Sequence, residues 1–83
     1  MEYKVLIKLY VPEIEETYEM YIPINKTIGE ICELLCKIVN DVSKVYPIKK
    51  NACLCNRRTG EIYDKTIPIK DSNIKNGTEL VIF

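Results

Sequence analysis

The sequence predicts an α+β fold, a mixed five-stranded sheet packed on one helix in the order ββαβββ. Three observations carry this. Two segments before residue 25 alternate apolar and polar residues with period two. A stretch near 27–43 changes to a spacing of three and four. A last alternating segment, 78–83, follows an Asn-Gly turn signal. With 83 residues, one domain spanning 1–83 is the expectation.

Tyr3, Val5, Ile7, Leu9 and Val11 share one strand face, and Lys4, Leu6, Lys8 and Tyr10 the other. Pro12 has no N–H for a ladder and stops this strand. Glu13 to Glu16 suit a hairpin connection. In the second strand Tyr18, Met20, Ile22 and Ile24 share a face, with Tyr21 opposite, and Pro23 marks an edge.

Thr27 and Glu30 stand at the capping-box spacing and open the helix. Ile28, Ile31, Cys32, Leu35, Ile38, Val39 and Val42 form its apolar stripe. Lys26, Glu30, Glu33, Lys37 and Asn40 face away, and Leu34 and Cys36 lie off the centre of the stripe, either widening it or leaving an apolar flank. Asn51 to Asn56 reads as a third strand, with either Ala52 and Leu54 or Cys53 and Cys55 inward; the first is preferred because Leu54 buries more area than a cysteine. Arg57 to Gly60 is a turn, and Glu61-Ile62-Tyr63 a short fourth strand. Residues 64–77 form an irregular link anchored by Ile67, Ile69 and Ile74. In the last strand Leu80 and Ile82 alternate with Val81 and Phe83.

The hairpin must bury one face, and the helix covers it. The last strand is paired most economically beside the first, in parallel, at the sheet centre. That arrangement is the β-grasp.

Composition excludes several functions. Twelve basic and twelve acidic side chains leave no net charge, so no overall cationic field holds nucleic acid or anionic lipid. The chain has no His, the commonest general base and metal ligand. The 47% apolar content fits a folded domain. Lys4 and Lys8 interrupt the N-terminal apolar residues, which argues against a signal peptide. No run approaches the roughly 18 apolar residues of a membrane span. The expected location is the cytoplasm.

Four cysteines require a choice. Cys32 and Cys36 fall on one helix face, and Cys53 and Cys55 on one strand face. Together they could make a four-thiolate metal or redox site. Reduced cysteine is otherwise a small buried hydrophobe, and that reading is preferred in a reducing compartment. No cofactor is expected. Cys55 near Arg57 and Arg58 is a candidate activated thiol, but a charged turn after a strand is the simpler reading. Glu13, Glu15 and Glu16 are adjacent acids of a kind usually solvated in a turn. Catalysis is not expected, because no nucleophile has a base beside it.

The run from Asp71 to Ile82, with Ile74, Gly77, Leu80 and Ile82 in order, resembles the end of ubiquitin and its relatives. Thr27, Ile28, Ile31 and Leu35 resemble the start and buried face of the ubiquitin helix. Within that group, the length and the turn Ile74-Lys75-Asn76-Gly77 are similar to the small YukD/EsaB-type proteins, accessory to type VII (WXG100) secretion in Gram-positive bacteria. The resemblance implies a small accessory or regulatory protein of that system. Conjugated and sulfur-carrying relatives need a flexible Gly-Gly tail. This sequence ends at Phe83, expected within the strand, so conjugation is not expected. The resemblance also implies protein partners met on the sheet face away from the helix. The candidate residues there are Leu6, Lys8, Tyr10, Val81 and Phe83, with Lys4 and Tyr21 beside them. The same face suits a homodimer on a two-fold axis.

Overall fold

A computed structural model describes residues 3–83. Met1 and Glu2, where the expected domain and the reading of the N-terminus begin, lie outside the described residues. Strand β1 (Lys4–Val11) pairs antiparallel with β2 (Glu16–Pro23) in unbroken register from Lys4↔Pro23 to Val11↔Glu16. Pro12 ends β1 as expected, and the connection is a 3-10 turn over Pro12–Ile14. Glu15 closes it at φ 52°, a left-handed conformation costing roughly 1–2 kcal/mol for a residue with a Cβ.

Helix α1 (Ile28–Val42) starts where the capping signal places it. The Glu30 N–H donates to the Thr27 hydroxyl at 3.2 Å, and the Thr27 N–H to the Glu30 carboxylate at 3.0 Å. The segment after Tyr63 closes the same helix end. The Ile28 and Gly29 N–H groups each donate at 2.9 Å, to Ile67 O and Lys65 O. Gly29 permits that approach, since a Cβ there would stand 3.2 Å from Lys65 O.

Ile28, Ile31, Cys32, Leu35, Cys36 and Val39 are buried, so Cys36 widens the stripe, while Leu34 is left as an exposed apolar flank. Val42 departs from expectation at 62% exposed. The chain turns back after Ser43, and Tyr46, wholly buried, covers that end of the core instead. Asn40, expected on the solvent side, is half-buried and donates from Nδ2 to Tyr46 O at 2.8 Å.

Strand β3 (Leu54–Asn56) pairs antiparallel with β4 (Thr78–Ile82), and β4 lies parallel to β1. The sheet order is β2-β1-β4-β3, so the hairpin strand carrying Pro23 is at an edge and the first and last strands are central. Among the described residues the sheet has four strands, not five. Residues 61–63 form an isolated bridge, Cys55↔Ile62, with two flanking hydrogen bonds. Local turns on both sides leave no room for more. Asn56 Oδ1 accepts the Arg58 and Thr59 N–H groups, and Asp64 Oδ1 accepts that of Thr66.

The inner sheet face supplies Ile7, Leu9, Val11, Ile22, Leu54, Leu80 and Ile82 to the core, with Ala52 beside Leu54 as expected. Tyr3, placed on that face by alternation, is 65% exposed at the chain start. Ile69 and Ile74 anchor the irregular link, whereas Ile67 is exposed. The Asn76-Gly77 turn docks on β1: Leu6 N–H donates to Asn76 Oδ1 at 2.7 Å and Gly77 N–H to Leu6 O at 2.8 Å. Gly77 adopts φ 89°, which favours glycine.

Candidate protein interface

The strand registers place the expected interface residues on the outer face in three rows. At one end Leu6 faces Tyr21. The middle row runs Glu19–Lys8–Glu79 across β2, β1 and β4. The third row runs Thr17–Tyr10–Val81–Cys55, extended by Ile62 through its bridge. Phe83 continues beyond this row. It lies one residue past β4, yet exchanges backbone hydrogen bonds with Cys53 at 2.7 and 3.0 Å.

The expected patch is therefore two patches. A charged row with Lys8 between two glutamates separates Leu6 and Tyr21 from Tyr10, Val81 and Phe83. Lys8 and Tyr21 are exposed, whereas Leu6, Tyr10 and Val81 are half-buried by their neighbours across the strands. Phe83 is 44% exposed and Ile62 64%. The Tyr10 end is thus an apolar surface with a covered middle and accessible ends.

Arg57 completes this end. Its guanidinium stacks over the Tyr10 ring, 4.3 Å from the centroid. Its backbone N–H extends the ladder by donating to Glu79 O at 2.9 Å. Such a stack contributes about 0.5–1 kcal/mol at an exposed site and holds a cation beside the apolar row. Residues 57 and 58 read as a turn in the sequence. The signal for Arg57 is its parity with Cys55, two residues on and therefore on the same face.

The four cysteines do not assemble. All are free thiols; Cys32 and Cys36 are buried under the helix, and Cys53 and Cys55 are half-buried. Among the described residues, no three His, Cys, Asp or Glu side chains are grouped to hold a metal ion. Burial pushes the Cys32 thiol up to about 11, with Lys65 opposing the shift. Burial also raises Cys55, the reverse of what activation by Arg57 and Arg58 requires.

A depression of about 630 Å³ opens beside the sheet, lined by Asn56, Arg58, Asn73, Lys75, Thr78 and Glu79. Its amides are engaged with one another. Asn56 donates to the Tyr63 hydroxyl at 3.1 Å, that hydroxyl donates to Asn73 at 2.7 Å, and Asn73 donates to Glu61 at 3.1 Å. The chain thus ties its irregular half together there.

A four-stranded mixed sheet with central parallel strands, grasping one helix, is the ubiquitin-like β-grasp. No family model matches the sequence, and no curated protein does. Solved structures match across nearly the whole chain. One is a chain of the MycP5-free ESX-5 inner membrane complex, at 17% identity and a TM-score of 0.83, covering 99% of this chain and 21% of that one. The protein therefore spans about a fifth of that chain's length. Another, from a structure described as molecular mimicry of SUMO promoting DNA repair, has 13% identity and a TM-score of 0.79, covering 100% and 94%. Caldiarchaeum subterraneum ubiquitin has 18% identity and a TM-score of 0.70, covering 95% and 90%. At these identities the likeness is one of fold. Among the described residues, no helix is long and apolar enough to cross a membrane.

Proposed function

We propose that the protein is a non-catalytic, cytoplasmic interaction module, accessory to or regulating a type VII secretion system. It meets a protein partner through the Tyr10–Val81–Phe83 end of its outer sheet face. The observation that carries this reading is the similarity over 99% of the chain to part of an ESX-5 inner membrane complex. The interface chemistry supports it. Aromatic and apolar side chains beside a stacked arginine are enriched in interface cores, and the Glu19–Lys8–Glu79 row supplies a polar rim.

The test is co-purification of tagged protein with secretion-system membrane components, wild type beside Val81→Asp and Phe83→Asp. Wild type is expected to recover the secretion ATPase and both variants to lose it while staying folded. Recovery of no secretion component by the wild type would count against the assignment. Equal recovery by folded variants would move the interface elsewhere. Sedimentation at several concentrations separates this partner from a second copy of the chain.

A further inference from the structure

On the helix side of the molecule, two depressions of about 240 and 220 Å³ share Glu33, Lys49 and Lys50 as walls. They make one groove between α1 and the segment 48–52. Lys37 and Ile48 line one end, and Lys65 the other. A chain with no net charge thus gathers four lysines around one glutamate. Lys49 is partly committed, since it pairs with Glu13 and lies 5.5 Å from the Tyr46 ring centroid. Among the described residues, Lys37, Lys50 and Lys65 have no carboxylate within ion-pair distance. All three are exposed.

The backbone fixes this arrangement. Gly29 lets the Lys65 carbonyl bond directly to the helix, which sets Lys65 at the groove wall. The first helical N–H groups are taken by Lys65 O and Ile67 O, so the groove attracts anions through its lysines alone. Ile48, 58% exposed, adds an apolar side chain at the Lys37 end.

We infer that this groove is a second docking site, taking an acidic peptide segment of a partner protein that sets one apolar side chain against Ile48. Charge complementarity carries the choice of occupant: three uncommitted lysines line these adjoining depressions. Single-stranded nucleic acid would need stacking platforms, and no aromatic side chain lines the groove. An anionic membrane would need the cations on a projecting surface rather than inside a depression. The site does not depend on the outer-face reading, because the helix separates the two surfaces. A protein holding both could link two partners.

The probe is the peptide acetyl-Glu-Asp-Leu-Glu-Asp-Asp-amide, titrated into isotopically labelled full-length protein at low salt. Backbone amide shifts are expected at Glu33, Lys37, Ile48, Lys50 and Lys65, with Tyr10 and Val81 unmoved. Affinity should fall about tenfold or more in Lys37→Glu/Lys50→Glu/Lys65→Glu, the combined weight of three exposed ion pairs. It should also fall when salt is raised and when the peptide's Leu is replaced by Ser. The milder Lys→Gln triple variant decides the matter if charge reversal disturbs the fold. Overturning results are no shifts at saturating peptide, shifts spread equally over Lys4, Lys8, Lys70 and Lys75, or an equal response to the Gln/Asn analogue of the peptide. Tighter binding of the same residues to anionic vesicles or to an oligonucleotide would likewise overturn the acidic-peptide assignment.

Discussion

From Lys4 to Val42 the chain forms two long strands and a helix; from Ser43 to Gly77 it forms one strand of three residues and a short 3-10 turn. Both stretches reach the same core. The first does so with periodic side chains, Ile7, Leu9, Val11, Ile31 and Leu35. The second uses single residues set in turns: Tyr46, Ala52, Leu54, Tyr63, Ile69 and Ile74. Regular elements satisfy their own backbone, so their side chains need only face inward. The irregular stretch has backbone groups met by side chains instead, by its own Asn56, Asp64 and Ser72 and by Asn40 of the helix. A fold can thus be regular in one half and held by individual residues in the other without losing a common interior.

The comparison breaks most sharply at Tyr46. Tyr46→Ala should cost about 3–5 kcal/mol in a denaturant titration, as for other large buried aromatics. A cost under about 1 kcal/mol would make the irregular half a cover over the core rather than part of it. Ile31→Ala and Leu80→Ala, both wholly buried in regular elements, should cost about 2–5 kcal/mol. A denaturant midpoint near that of the wild type would remove either from the core. Thr27→Ala tests the side-chain hydrogen bond that opens the helix of the regular half, and should cost about 0.5–2 kcal/mol.

The two halves also share an alkaline response. Burial holds Cys32 near 11 against an ordinary 9.0, and burial with the Cys36 neighbour holds Tyr46 near 12 against 10.0. Both groups bind their protons more tightly when folded, so the unfolded chain ionises first. Their contribution to stability is whole below about pH 9 and is lost as pH rises through 9–11 for Cys32 and 10–12 for Tyr46. Unfolding followed across that range should show declining stability, and a flat profile would place both groups in water. The smallest expected effect is on the outer face, where Phe83→Asp should change stability by no more than about 0.5 kcal/mol while weakening the partner.

What the sequence made legible follows the same division. The capping box, the Pro12 stop, the inward choice of Leu54 and the parallel central pair were all readable from period, caps and buried area. Tyr46 and Tyr63 were not: Tyr46 sits in a turn after the helix, and Tyr63 ends a three-residue segment too short to show a period. The fourth strand failed for a related reason: Glu61-Ile62-Tyr63 has strand-forming residues, but Asn56 and Asp64 turn the chain on both sides of it. In the candidate interface, alternation identified which residues share the outer face. It did not reveal that Lys8 stands between Glu19 and Glu79, or that Arg57 covers Tyr10. Those facts depend on strand register, which one-strand patterns leave open.

The seam between β1 and β4 has one further consequence, for dividing the molecule. Leu6 and Asn76 bond across it although 70 residues separate them in sequence. A break anywhere from Ser43 to Cys53 would leave the two sides of that seam on different pieces. Tyr10 would lie on one piece, and Val81 and Arg57 on the other. Neither piece could display the outer-face patch alone, and both would expose apolar surface until they met. Only reassembly of two halves cut there would restore the row in which Tyr10 stands beside Val81.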